Sequence, residues 1–320
     1  MDGRTVAILG TRYTDFSVEK EVLGPLGVSL VDGPGGDDDA IAGVAGEADV
    51  LMLGSPPRIT AATLARLSCR GIVRYGVGVE KIDLDAARAA GIWVARVADY
   101  GTEAVSIHSV ALALAGFRRL LEADGATRAG GWGIGDLRPL SLPSASTAGV
   151  VGYGRIGRTV AAHLRALGFR VLAHDPLVEI DDAEAVPLEE VLRSSDVVSL
   201  HAPGHADGTP LLGAAELGLM REGSVLVNTA RGALIDAEAL VDGLRAGRPR
   251  VACLDVFPAE PPDASLFAEV AGRVIMTPHM AWYTEESELD MRRKAAEEAR
   301  RLLQGERPRD VVVDPTEVTA

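Results

Sequence analysis

Residues 147–175 constrain the fold of this chain more than any other stretch. The apolar run 147–151 predicts a short buried strand. Gly152, Gly154 and Gly157 follow as Gly-x-Gly-x-x-Gly. A helix is predicted over 155–167, with Ile156, Val160, Leu164 and Leu167 on one stripe. Gly168 stops it, 169–173 predict a second strand, and Asp175 stands 18 residues after Gly157. Each part has a physical job. Gly152 permits a tight turn, Gly154 lets the backbone approach a pyrophosphate, and Gly157 lets the helix pack close to the strand. The helix N-terminus offers free N–H groups and the positive end of its dipole to phosphates. Asp175 can accept hydrogen bonds from both ribose hydroxyls of an adenosine and would repel a 2′-phosphate, so the unit predicts NAD rather than NADP. A glycine turn alone could join two core elements, but strand, turn, helix, strand and acid all fall in order here.

At 320 residues the chain is long enough for two domains. The formal net charge of −14 argues against nucleic acid or an anionic membrane as partner, but not against a small anion held by a local arginine. Cys69 and Cys253 are the only cysteines, which suggests a reducing cytosol rather than a disulfide framework. No stretch approaches a membrane span, and the first residues are too poor in apolar side chains for a signal peptide.

The first third alternates between strand and helix. Strands are predicted at 5–9, 28–31, 50–53, 71–75 and 92–95, with helices at 19–23, 60–67 and 85–90, so a parallel α/β layer is expected. The glycine- and aspartate-rich run 32–39 reads as a solvated loop. The turn 75–79, Tyr-Gly-Val-Gly-Val, offers backbone N–H groups at the carboxyl end of a strand, the edge where ligands sit in open α/β sheets. One long helix is predicted over 103–121, then an extended arm over 128–142 carrying Trp132 and Leu137. Further strands are predicted at 197–201, 224–228, 251–255 and 274–277. A second long helix, with an exposed charged face, is predicted over 285–304, and 309–313 either adds one strand or packs on the first domain.

Three residues stand just past strand ends on the side of the glycine turn: Arg231 in Asn-Thr-Ala-Arg-Gly, Glu260 in Val-Phe-Pro-Ala-Glu-Pro-Pro, and His279 in Thr-Pro-His. An arginine fork binds a carboxylate. A histidine exchanges a proton near neutral pH, and a carboxylate beside it orients the ring and favours its charged form. Singly they read as a surface ion pair, a loop residue and a helix-start residue; together they predict a proton-transfer and anion-binding site. His201 and His205 lack ligand spacing, so no metal is expected, and His108 and His163 read as structural.

The motifs Gly-Val-Gly-Val-Glu-Lys-Ile-Asp (76–83), Gly-Tyr-Gly-Arg-Ile-Gly (152–157), Ser-Asp-Val-Val-Ser-Leu-His-Ala-Pro (195–203), Asn-Thr-Ala-Arg-Gly (228–232), Leu-Asp-Val-Phe (254–257) and Thr-Pro-His (277–279) resemble those of the D-isomer-specific 2-hydroxyacid dehydrogenases, in order and over nearly the whole chain. The resemblance implies an α/β fold of two Rossmann- or flavodoxin-like parallel-sheet domains with an interdomain cleft. It implies a discontinuous substrate-binding domain, 1–99 plus 284–320, and an NAD-binding Rossmann domain, 100–283. It also implies NAD as cofactor and a homodimer built mainly on the cofactor domain. Arg231, Glu260 and His279 match the catalytic trio. Asp255 matches the acid at the nicotinamide carboxamide, and Arg155, Ile156, Thr229 and Ala230 fall with the glycines and Asp175 in the cofactor-binding set. Val77 and Gly78 match backbone donors to the substrate carboxylate.

Asp99-Tyr-Gly-Thr-Glu-Ala-Val and Ala281-Trp-Tyr-Thr-Glu-Glu resemble the branch that holds the C-terminal-binding-protein corepressors, near the phosphoglycerate dehydrogenases. In that branch Arg74 would help hold the carboxylate and Trp282 would line the pocket; core packing is the other reading of Trp282. The usual Val-Ala-Glu-His reads Val-Ser-Ile-His at 105–108, and the usual Leu-Thr-Pro-Glu-Thr reads Gly-His-Ala-Asp-Gly at 204–208, near the adenosine in the family. The expected activity is hydride transfer between nicotinamide and C2 of a small anionic (R)-2-hydroxy or 2-oxo acid, in the cytoplasm. The alternatives are an NAD(H)-sensing corepressor-like module and a dehydrogenase of a phosphonate or phosphite. Glutamate rather than glutamine at 260 argues against formate. A chain ending near residue 320 is expected to lack the regulatory domain of many phosphoglycerate dehydrogenases.

Overall fold

The structure, a computed structural model, describes residues 3–205 and 207–317; Ala206 of the 204–208 loop lies outside them. In chain order the elements begin β1 (Thr5–Leu9), α1 (Ser17–Leu23), β2 (Ser29–Gly33), α2 (Asp38–Ala45), β3 (Val50–Leu53), α3 (Ala61–Leu64), β4 (Gly71–Arg74), α4 (Leu84–Ala89) and β5 (Trp93–Arg96). There follow α5 (Thr102–Phe117), α6 (Leu120–Arg128), β6 (Thr147–Val151), α7 (Arg155–Ala166), β7 (Arg170–His174), β8 (Glu184–Ala185), α8 (Leu188–Ser194), β9 (Val197–Leu200) and α9 (Ala214–Leu219). The chain closes with β10 (Val225–Asn228), α10 (Ala237–Ala246), β11 (Val251–Leu254), β12 (Val274–Met276), α11 (Glu285–Gln304) and β13 (Val311–Val313). These pack as two compact units, Met1–Gly101 with Thr284–Ala320, and Thr102–Tyr283.

The first unit holds a sheet ordered β13-β5-β4-β3-β1-β2, parallel except for β13, which runs antiparallel on β5. Its parallel part has the flavodoxin-like order. The inner strands β1 and β3 are apolar runs because both faces are covered; β3 is buried throughout. α11 starts at Thr284, whose hydroxyl accepts the Ser287 N–H at 3.0 Å, and ends at Gly305 in the left-handed region. It is not only a charged surface helix: Met291, Ala295, Ala296, Ala299, Leu302 and Leu303 form a buried stripe. The run 32–39 differs from the loop expected of it. Asp32 and Gly33 end β2, and Asp37 caps α2 by accepting the Ala40 N–H at 2.9 Å. Aspartates at the start of a helix suit both its free N–H groups and its dipole.

The second unit holds a parallel sheet ordered β12-β11-β10-β9-β6-β7-β8, the Rossmann order extended at one edge. Separate apolar cores fill its two faces. One includes Leu200, Leu226, Leu240 and Leu254; the other, Val110, Val150, Leu164 and Phe169. The long helix expected over 103–121 is broken. α5 ends at Phe117, Arg119 takes a left-handed conformation (φ 55°), and α6 sets off at 58° to α5. Gly116 explains where α5 lies: a Cβ there would come within 2.7 Å of the Val225 side chain, so the helix sits hard against β10. No single helix among the described residues is long and apolar enough to cross a membrane. The bent pair α5–α6 passes by length and composition, but Ala104, Val105, Val110, Leu112 and Ala113 of α5 are buried in this unit.

Candidate active site

The glycine turn joins β6 to α7. Gly152 has φ 88°, and a Cβ on it would lie 2.5 Å from the backbone of His201 and Ala202 after β9. A Cβ on Gly157 would overlap the Gly152 carbonyl, whereas one on Gly154 would meet nothing within 4 Å. Two glycines therefore close the turn, and the third leaves open space at the start of α7, where Arg155 and Ile156 form the first helical residues. Asp175 lies at the tip of this turn. Its Oδ2 accepts the Tyr153 N–H at 2.7 Å, and its Oδ1 accepts Leu177 N–H at 2.8 Å and Val178 N–H at 3.1 Å. The cradle has what NAD requires: an uncovered helix N-terminus, backbone room for a pyrophosphate and a fixed acid at the neighbouring strand end. His201 faces the back of the turn. Its Nε2 shares a hydrogen bond with Ser199 Oγ at 2.8 Å, and burial pushes its imidazole down to about 3, so it is neutral at physiological pH.

Arg231, Glu260 and His279 follow β10, β11 and β12, which are successive parallel neighbours. Their carboxyl ends thus bring three loops side by side. A Cβ on Gly232 would overlap the Phe257 carbonyl, so the loop after β10 rests directly on the loop after β11. Arg231 donates to the Ala230 carbonyl at 2.8 Å, and Asn228 ties the loop by donating to the Arg231 carbonyl at 2.8 Å and accepting the Ala230 N–H at 3.1 Å. Glu260 is oriented by the Phe257 N–H on Oε1 (3.1 Å) and presents Oε2 to His279 Nδ1 at 2.8 Å. The bond fixes the ring through Nδ1. Both side chains are partly exposed, 48% for His279 and 38% for Glu260.

Asp255 does something that spacing alone did not show. It is fully buried, and its Oδ1 accepts the Thr277 hydroxyl at 2.5 Å and the Met280 N–H at 2.9 Å, while Oδ2 accepts the Ala281 N–H at 2.9 Å. His279 sits inside this clamp with φ 52°, a conformation uncommon for a residue other than glycine. His108, read from sequence as structural, places Nε2 3.2 Å from Thr277 Oγ1. Thr229 spends its hydroxyl within the fold, on Ser109 Oγ at 2.7 Å. Trp282 follows the clamp, its ring edge-on to Tyr283 at 5.5 Å.

In the first unit Arg74 ends β4 and donates to the Leu53 carbonyl at 3.4 Å and to the Tyr75 carbonyl. Val77 and Gly78 are half-buried in the turn beyond it. Gly76 has φ 111°, and a Cβ on it would lie 3.2 Å from the Tyr100 hydroxyl. Among the described residues no group of three or more His, Cys, Asp or Glu is placed to hold a metal ion.

A family model for the D-isomer-specific 2-hydroxyacid dehydrogenase NAD-binding domain matches residues 110–281. A D-3-phosphoglycerate dehydrogenase of Mycobacterium leprae is 36% identical over 291 residues, 89% of this chain and 54% of that protein. The chain thus spans about half the length of the phosphoglycerate dehydrogenases it matches. A glyoxylate reductase of Aeropyrum pernix is 36% identical over 278 residues, 83% of each chain. Among solved structures, a D-lactate dehydrogenase of Aquifex aeolicus complexed with NAD and lactic acid superposes with a TM-score of 0.87 at 26% identity, covering 97% of this chain and 100% of that one. Fold, glycine cradle and sequence likeness agree: the chain belongs to the D-isomer-specific 2-hydroxyacid dehydrogenase family and carries its NAD-binding domain.

Proposed function

We propose that the protein is an NAD-dependent oxidoreductase of small (R)-2-hydroxy and 2-oxo acids. The observation that carries this reading is the 2.8 Å bond from His279 Nδ1 to Glu260 Oε2, past strands of the same parallel sheet that carries the glycine cradle. NADH, when bound, supplies the hydride that reduces the C2 carbonyl. His279 Nε2 gives the proton that the new alkoxide needs, and takes it back in the oxidative direction. Glu260 holds the ring in the orientation for that transfer. Arg231 pairs with the carboxylate and polarises the carbonyl, fixing C2 in place. In the first unit Val77 and Gly78 offer backbone N–H groups to a substrate carboxylate, with Arg74 assisting them; in the second, Trp282 lines the substrate pocket. Asp255 clamps the turn that carries His279, a buried role in place of the carboxamide contact expected of it, and Asp175 selects NAD over NADP. In this assignment residues 1–99 and 284–320 bind substrate and 100–283 bind cofactor.

The working form is a homodimer. Trp132 is 95% exposed on the stretch between α6 and β6, and Ile134 and Leu142 beside it are exposed as well. Free buried Cys69 and Cys253 suit a reducing cytoplasm. The named relatives make glyoxylate and 3-phosphohydroxypyruvate the first substrates to try, with pyruvate, and phosphite as the unusual-anion control. Loss of NADH absorbance with any 2-oxo acid supports the reading. NADH binding without turnover on the whole panel would overturn it in favour of an NAD(H)-sensing module.

A further inference from the structure

Beneath the turn 75–79 lies a buried ionic cluster that the proposed reaction does not use. Glu19 on α1 is fully buried, and Arg292 on α11 nearly so. Arg292 donates Nε to Glu19 Oε1 at 3.0 Å and Nη2 to Glu19 Oε2 at 2.7 Å, with a further bond from Nη2 to the Asp15 carbonyl at 2.8 Å. Its guanidinium lies 4.3 Å from the centre of the Tyr13 ring, and Tyr13 stands edge-on to Tyr75 with centroids 5.5 Å apart. Tyr75 closes the cluster by donating its hydroxyl to Glu19 Oε1 at 3.0 Å. A buried carboxylate is costly unless it is paired and hydrogen-bonded, and here one arginine and one phenol complete it.

Tyr75 is also the first residue of the turn. Its N–H continues the β3 pairing onto the Leu53 carbonyl at 2.9 Å. Gly76 then turns left-handed, its carbonyl taking the Val97 N–H at 3.1 Å, and Val77 and Gly78 follow at once. The phenol–carboxylate bond therefore fixes a side chain two residues from the first of the proposed carboxylate donors. Burial, and Glu19 next to it, hold the Tyr75 phenol well above its ordinary range, so the group remains a donor at any working pH.

We propose that Glu19, locked by Arg292, is a positioning residue for substrate binding: through the Tyr75 hydroxyl it sets the place of the Val77 and Gly78 N–H groups. This rests on the reading that those groups receive the substrate carboxylate. Backbone donors that hold a carboxylate act alike on ground state and transition state, so loosening them raises KM and spares kcat. A purely structural cluster would lower stability and leave KM alone.

The decisive variant is Tyr75→Phe, which keeps the ring, the Tyr13 contact and the Arg292–Glu19 pair. Its KM for glyoxylate should rise about 5- to 10-fold, with kcat within about two-fold of the parent and KM for NADH unchanged. Oxamate titrated calorimetrically into the NADH-loaded proteins should weaken by the same factor. Glu19→Gln should show the same split if it folds; Tyr75→Phe decides the matter if it does not. Unchanged glyoxylate KM and oxamate affinity in folded Tyr75→Phe would overturn the inference and leave the proposed reaction standing. A parent that reduces no 2-oxo acid of the panel and does not bind oxamate would overturn both.

Discussion

The buried carboxylate of Asp255 takes the N–H of Ala281 at 2.9 Å, and by that bond and two on its other oxygen it holds the turn on which His279 stands. An aspartate can accept all three donors; an asparagine cannot, because one oxygen becomes an NH2 facing a donor. Asp255→Asn should lose about 1–3 kcal/mol of stability through an unpaired buried group. It should also lower kcat, since a small displacement of a positioned proton donor is costly. Thermal melts and steady-state kinetics at 25 °C check this. A lowered Tm with full kcat would show that the clamp does not govern His279.

Asp175 has its carboxylate fixed by three backbone N–H groups at the tip of the glycine turn. It cannot swing away from a 2′-phosphate, and like charges brought together cost several kcal/mol. NADH should therefore exceed NADPH in kcat/KM by at least about 100-fold. Comparable values with the two cofactors in the parent would refute the assignment. Asp175→Ala should narrow the ratio while weakening NADH, because the Tyr153 N–H loses its acceptor too.

The neutral His201 predicts a pH dependence of stability. In the unfolded chain this imidazole protonates near 6.5, in the fold only near 3. Between those values the unfolded state binds more protons, so stability rises with pH: the contribution is complete above about 6.5 and is lost as pH falls towards 3. The slope is at most about 1.4 kcal/mol per pH unit for one proton. From pH 7.5 to 5.0 the parent should lose up to ~2 kcal/mol more than His201→Asn, read from urea midpoints. Equal losses would show that His201 is open to solvent.

Trp132, Ile134 and Leu142 expose large apolar surface on one connecting segment, which marks an interaction site more often than idle surface. A second copy is the expected occupant, giving a two-fold dimer. Light scattering at micromolar concentration should return about twice the chain mass, and Trp132→Ser should shift the protein towards monomer. A monomeric parent would dispose of the idea.

What could be read beforehand was whatever is local. The glycine turn and Asp175 occupy 29 consecutive residues, 147–175, and the three strand-end residues follow from strands legible as apolar runs. The break at Arg119 was not legible, because a left-handed arginine carries no glycine-like signal. Nor was α2, whose aspartates read as loop until Asp37 is seen capping it. Glu19 and Arg292 are 273 residues apart and each is ordinary on its own helix; only the fold shows them as one pair. Thr277 and Asp255 both stand within the strand-end motifs, yet the clamp they form depends on two strand ends lying side by side.

The proton-transfer assignment can be tested without confusing chemistry with folding. His279 has φ 52°, so His279→Ala would add backbone strain to the loss of the imidazole. Asparagine tolerates that conformation better than most residues, and His279→Asn is the cleaner variant. Its Tm should stay near the parent's, because the side chain is half-exposed and bonded to the partly exposed Glu260. Its kcat for glyoxylate reduction at saturating NADH should fall by about 10²–10⁴, the usual worth of a general acid. Glu260→Gln keeps an oxygen or an amide near Nδ1 but not the charge, so it should lose less than His279→Asn. The double variant should then be little worse than His279→Asn alone, since Glu260 acts through the ring. If the two losses instead multiply, Glu260 touches the reaction by another route, and its role as the partner that orients His279 must be given up.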